Sequence, residues 1–228
     1  MTHTRYAIYY PPAPGPLADF GARWLGWDIA EGRARAHPAL RPLSRPVEEI
    51  TRTPRKYGFH ATVKPPFRLA PGTTSEDLTE AARALCASCA PVTLDGLRLA
   101  RIGRFLALVP VGDTQALAGL AATMVRDLDR FRAPAEPAEL ARRRGKGLSE
   151  RQDALLLQWG YPYVMEEFRF HMTLSGSLSE DLAAETAGVL EAGFESILSG
   201  QVKIADLSLV GERPDGCFEI VHRLPLEA

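Results

Sequence analysis

Two short segments of this chain repeat one another: His60-Ala61-Thr62-Val63 and His171-Met172-Thr173-Leu174 each read His, any residue, Thr, aliphatic. From His60 to Val92, where the next β-like run begins, is 32 residues, and from His171 to Val202 is 31. Both intervening stretches contain Ser-Glu-Asp-Leu, at Ser75–Leu78 and Ser179–Leu182. Both lead into segments with the same order of apolar positions, VTLDGLRLARIGRFLALVPV and VKIADLSLVGERPDGCFEIVHRL. A strand, a helix and a strand pair used twice predict two similar lobes related by a pseudo-two-fold; two copies are too few for a solenoid.

The rest of the chain fits that plan. Arg5 to Tyr10 is aromatic and β-favouring and stops at Pro11-Pro12, which predicts a first strand. Leu17 to Ile29 has helical spacing, Gly32 to Arg55 reads as an extended connection with a short helix near Val47 to Thr51, and Ser75 to Ala90 reads as a helix. Thr114 to Phe131, Ala135 to Gln158 and Ser179 to Leu198 are helical in pattern. Strands are expected at Tyr57 to Val63, Val92 to Leu99, Arg104 to Pro110, Phe168 to Leu174, Gln201 to Val210 and Cys217 to Leu224.

A length of 228 residues is about one and a half domains at roughly 150 residues each. The expectation is therefore one bilobal α+β domain over residues 1–228, with two antiparallel sheets related by a pseudo-two-fold, helices outside and a central groove. The lobes would fall near 1–100 and 101–228, with strands free to exchange between them.

Composition narrows the function. Hydrophobic residues are 46% and charged residues 24%, which excludes disordered, collagen-like and coiled-coil classes. With 27 Lys plus Arg against 28 Asp plus Glu, the net charge of -1 gives no general pull toward nucleic acid or an anionic membrane. The first residues lack the basic and apolar runs of a secretory signal, and no apolar stretch approaches the roughly 18 residues of a membrane span, so a cytoplasmic protein is expected. Three cysteines, Cys86, Cys89 and Cys217, fit a reducing compartment better than a disulfide framework, and without a second pair at zinc spacing they predict no metal site.

On a strand, residues two apart share a face, so each His has its Thr beside it. Alternation puts Lys56, Gly58, His60, Thr62 and Lys64 on one face of the first strand and Arg169, His171, Thr173 and Ser175 on one face of the second. Such a face suits phosphodiester chemistry. Opening a cyclic phosphate needs a base toward water and an acid toward the departing alkoxide on the opposite side of phosphorus, and two imidazoles can divide those roles. Hydroxyls and cations can stabilise the charge on the non-bridging oxygens without metal or cofactor. The pattern leaves open which histidine is acid and which is base.

The paired His-x-Thr-aliphatic tetrads resemble the two-histidine (2H) phosphoesterase superfamily, which includes cyclic nucleotide phosphodiesterases and RNA 2',5'-ligase-like proteins. The flanks YGFHATVKPPF (Tyr57 to Phe67) and WGYPYVMEEFRFHMTLSG (Trp159 to Gly176) are similar to the branch often encoded in phosphonate-utilisation operons. The resemblance covers essentially the whole chain. It implies a bilobal fold with the His strands facing across a groove, His60 and His171 as the catalytic pair, and Thr62 and Thr173 as phosphate ligands.

Further candidates for substrate contact are Lys64, Arg169, Tyr6, Tyr163 and Arg143. Lys64 is close to Pro65, which is expected to end the strand. The first strand could turn either Tyr6 or Tyr9 inward. Tyr57 and Phe59 alternate away from the histidines and read as core. The run Arg142, Arg143, Arg144 and Lys146 with Arg151 is either a solvated face or a substrate grip and lid. The expected partner is a small phosphorylated substrate, with RNA ends a second choice because no extended basic stripe with interleaved aromatics is visible. A non-catalytic module that binds a phosphorylated ligand is the alternative of a different class.

Overall fold

In the computed structural model, which describes residues 3–145 and 147–228, the run Tyr6–Tyr10 forms β1. All five of its residues are buried, which is what an apolar strand covered on both faces requires. It is flanked by β4 (Ala61–Phe67) on one side and β10 (Asp206–Glu212) on the other, with β11 (Phe218–Pro225) outermost. These four strands form one antiparallel sheet. A second consists of β6 (Gly96–Ile102), β7 (Phe105–Val111) and β8 (Met172–Thr173). Among the described residues the two join at a single residue pair, Ala61 with Met172, giving the order β11-β10-β1-β4-β8-β7-β6.

The hairpins are crossed between the halves. β6 and β7, which follow the first tetrad in sequence, pair with the second tetrad's strand β8; β10 and β11, which follow the second, pair with β1 beside the first. Residue 100 lies inside β6. Two-stranded ribbons complete the set: β2 (Trp27–Asp28) with β3 (Arg33–Ala34), and β5 (Val92–Leu94) with β9 (Val202–Ile204).

Helices α1 (Pro16–Leu25), α4 (Ser75–Ala87), α5 (Gln115–Asp127) and α8 (Glu180–Phe194) bury their apolar sides in one core with Ile8, Val63, Leu108, Met172 and Leu209 of the sheet. The short α2 (Val47–Ile50) and α3 (Arg52–Arg55) contribute Ile50 and lead into the first tetrad. Trp24 of α1 is fully buried, and its indole N–H donates to the Leu174 carbonyl at 2.7 Å, fixing the end of the second tetrad from the other half of the chain. The opposite face of the sheet carries a smaller cluster of Ala7, Tyr9, Trp27, Ile29, Val210 and Phe218.

Several boundaries differ from the sequence expectation for identifiable reasons. α1 ends at Leu25 because Gly26 adopts φ 80°, a left-handed stop that leaves Trp27 free to enter β2. The stretch Ala135 to Gln158 splits into α6 (Pro137–Arg144) and α7 (Glu150–Trp159), the second opened by Ser149 and Gln152 in a reciprocal capping box. The two Ser-Glu-Asp-Leu segments are offset by a residue: Thr74 caps α4 with Asp77 closing its box, whereas Ser179 itself is the N-cap of α8. No described helix is long and apolar enough to cross a membrane.

Candidate active site

Both histidines stand immediately before their strands, and the expected alternating runs Tyr57 to Val63 and Phe168 to Leu174 are regular only from Ala61 and Met172 onward. Gly58 explains the first case. Its φ is 71°, and a Cβ there would come within 2.5 Å of Ile29, so only glycine fits. In the second case the chain makes a 3-10 turn at Met165–Glu167. The result is the same on both sides: His60 Nδ1 lies 3.0 Å from the Gly58 carbonyl, and His171 Nδ1 lies 2.8 Å from the Arg169 carbonyl. Each Nδ1–H donates to the carbonyl two residues back, which leaves Nε2 for chemistry.

Because Ala61 pairs with Met172 in an antiparallel register, His60 is level with Thr173 and Thr62 with His171, all on one face. The two imidazoles are then diagonal neighbours, with Cβ atoms on the order of 7 Å apart. The pair is not symmetric in environment. The His60 ring stacks on Tyr9 at 3.6 Å between centroids and 16° between planes, and the Thr62 hydroxyl donates to its Nε2 at 3.0 Å. Burial draws the His60 imidazolium down to about 4, with the nearby His171 acting in the same direction and the bond to Gly58 opposing. His171 is more open and lies beside Phe105 at 5.7 Å.

The other predicted residues separate. Tyr6 points into the helix-side core; Tyr9 is the first-strand tyrosine on the histidine face. Lys64 leaves that face because β4 is bulged: Tyr9 pairs with Thr62 but Ile8 pairs with Lys64, so Val63 and Lys64 are both buried. Its Nζ donates to the Val125 carbonyl at 3.0 Å, near Asp129 at 3.6 Å, and the strand continues through Pro65 and Pro66. Arg169 is exposed and bonds to the carbonyls of Phe168 and Glu166 in its own turn. Tyr163 is exposed and edge-on to Tyr161.

The basic run divides as well. Arg143 bonds to Glu139 at 2.7 Å and lies 4.8 Å over the Tyr161 ring, with its Nε buried and without a partner among the described residues. Arg144 makes a bidentate pair with Asp153, and Arg151 pairs with Glu166. Lys146 lies outside the described residues. Two residues on the histidine face were missed by pattern alone. Tyr57 is turned by Gly58 onto Phe218, 5.3 Å away, in the histidine-face cluster, while Phe59 goes to the core as expected. Arg5 lies 5.7 Å from the Phe218 ring and is held by Glu212 through two bonds of 2.6 Å. Among the described residues no group of three His, Cys, Asp or Glu side chains could hold a metal ion.

A two-sheet α+β fold with one His-x-Thr segment from each repeat at the seam defines a paired-imidazole protein with a site on the open sheet face. The chain belongs to the family described as a protein of unknown function, DUF1045, whose model matches residues 62–219. It is 43% identical over 177 residues to a protein of Janthinobacterium sp. (strain Marseille) named ribose 1,5-bisphosphate phosphokinase PhnN, covering 77% of this chain and 39% of that protein. A protein of the same name from Laribacter hongkongensis (strain HLHK9) is 36% identical over 184 residues, covering 77% and 41%. The chain thus spans about two fifths of the length of these relatives. Among solved structures it is similar to TT0787 of Thermus thermophilus, with a TM-score of 0.47 and 13% identity over 98% of both chains. It is also similar to E. coli LigT complexed with NADP+, with a TM-score of 0.44 and 13% identity over 100% of both.

Proposed function

We propose that this chain is a metal-independent phosphodiester hydrolase in which His60 and His171 divide the acid and base work and Thr62 and Thr173 hold the non-bridging oxygens. One observation carries the reading: two imidazoles lie diagonally across a pair of antiparallel residues, each anchored through Nδ1, with the threonines between them on the same face. A phosphorus atom seated there is within reach of both Nε2 atoms, on opposite sides of the ester.

His60 takes the base role. Packed on Tyr9 and drawn down to about 4, it is neutral at pH 7 and free to accept a proton from water. The water oxygen forms the new bond to phosphorus as the ester P–O bond breaks, and His171 delivers a proton to the departing alkoxide. Charge building on the non-bridging oxygens is met by the threonine hydroxyls, Thr62 exchanging its bond to His60 for one to phosphate. The net change is addition of one water to give a phosphomonoester and an alcohol.

The favoured substrate is a small cyclic phosphodiester, a cyclic nucleotide or a cyclic sugar phosphate, in keeping with the near-zero net charge. The longer relatives are named for a kinase of ribose 1,5-bisphosphate. Opening the 1,2-cyclic phosphate of a 5-phosphorylated ribose would yield that compound, which supports a sugar ester and a role in phosphonate metabolism.

The test is turnover of 2',3'-cyclic nucleotides and ribose 1,2-cyclic phosphate, with EDTA present, by wild type, His60→Ala and His171→Ala. Each variant is expected to lose about a hundredfold or more. Activity abolished by EDTA, or a variant as fast as wild type, would overturn the mechanism.

A further inference from the structure

Beside α6, on the side of the sheet where Arg5 emerges, is a cavity of about 470 Å³ lined by Arg5, Arg68, Arg132, Arg142, Glu136 and Glu139. Four arginines and two glutamates contribute to its wall. Arg5 and Arg132 are already fixed, Arg5 by Glu212 and Arg132 by Asp129 at 2.7 and 3.0 Å and by the Gln158 carbonyl at 3.0 Å. They are held rigidly and act as preset walls. Arg68 has only a loose contact with Glu136 at 3.6 Å between exposed groups, and Arg142 makes no ion pair among the described residues, acting on Glu139 only through its field. These two supply the uncommitted charge.

A chain of side-chain contacts leads from the cavity's Arg5 toward His60. Arg5 and Tyr9 are on the same side of β1, and Tyr9 is the residue stacked on His60. Four residues along a strand is about 13 Å, shortened by the reach of an arginine side chain. Between them Tyr9 and Tyr57 both pack on Phe218, the ring that Arg5 covers. At the far wall, Gly160 adopts φ 73°, and a Cβ there would meet Arg132 Nη1 at 3.0 Å; glycine lets the guanidinium lie against the backbone. Glu139 is held below the ordinary carboxylate range: burial pushes it up, but the bond from Arg143 and the fields of Arg143, Arg68 and Arg142 outweigh that.

From this arrangement we infer that the cavity is a second anion subsite, built to take a phosphate group of the substrate other than the one being cleaved. The inference rests on the phosphodiesterase reading and deepens it: the substrate is a phosphodiester that carries a further phosphomonoester or pyrophosphate a sugar's or nucleotide's length away. An incoming phosphate displaces Glu136 from Arg68 and is shared between Arg68 and Arg142, whose planar forks suit bidentate binding.

Two measurements on the full chain separate this inference from the catalytic one. In calorimetric titration with inorganic pyrophosphate, the double variant Arg68→Ala/Arg142→Ala is expected to bind at least about tenfold more weakly than wild type, and His60→Ala to bind as wild type does. Equal affinity in wild type and the arginine variant, no wild-type binding at millimolar pyrophosphate, or a loss confined to His60→Ala would overturn the subsite. In turnover, wild type is expected to favour 2',3'-cyclic AMP bearing a 5'-phosphate over 2',3'-cyclic AMP by about tenfold in kcat/KM, with the ratio near one in the arginine variant. A ratio near one in wild type also overturns it. If neither compound nor ribose 1,2-cyclic phosphate is turned over but pyrophosphate binding follows the arginines, the catalytic reading fails and the cavity stands as an anion site alone.

Discussion

Ala61 faces Met172 where the two sheets join, and that register sets each histidine opposite the other repeat's threonine. His60 is level with Thr173, and His171 with Thr62. A local pseudo-dyad therefore passes between the two apolar residues, whose side chains go to the core while the polar flanks share the open face.

Thr173→Val tests that geometry. Valine keeps the shape and β preference of the strand while removing one donor to the proposed phosphate, so kcat on a cyclic phosphodiester is expected to drop about a hundredfold with the fold intact. A kcat within twofold of wild type would remove Thr173 from the site.

Acid stability tests the burial of His60. Its folded pKa of about 4 is below the ordinary 6.5, so between those values the unfolded chain binds more protons than the folded one. Stability is then complete above pH 6.5 and falls as the pH is lowered toward 4. Urea denaturation should show wild type losing about 2 kcal/mol more than His60→Gln on going from pH 7 to pH 5. Parallel losses in the two proteins would mean that His60 titrates as if exposed.

Lys64 gives the opposite pH range. Burial lowers its ammonium to about 8 from 10.5, with Asp129 opposing and Arg132 reinforcing the shift. The unfolded chain holds the extra proton between those values, so stability rises as the pH passes upward from 8 to 10.5. Relative to Lys64→Met, wild type is expected to gain about 2 kcal/mol between pH 7 and pH 9.5 in urea denaturation. Absence of that relative gain would mean that the lysine reaches water.

The sequence by itself determined the duplication, the α+β class, most of the helices and the four residues of the two tetrads, because periodicity and repetition are local properties of a chain. What alternation could not carry was the face of each residue beyond a break in the pleat. The bulge between Thr62 and Lys64 sent a lysine that alternation offers as a possible substrate contact into the interior, and the left-handed turn at Gly58 brought Tyr57 to the histidine side. The choice between Tyr6 and Tyr9 was likewise settled only when β1 was inserted between β4 and β10, with one face against the helices and the other against His60. The crossing of the hairpins and the gathering of Arg5, Arg68, Arg132 and Arg142 around one cavity depend on contacts between residues far apart in the chain. Such contacts are decided by packing and register, which no single stretch of sequence contains.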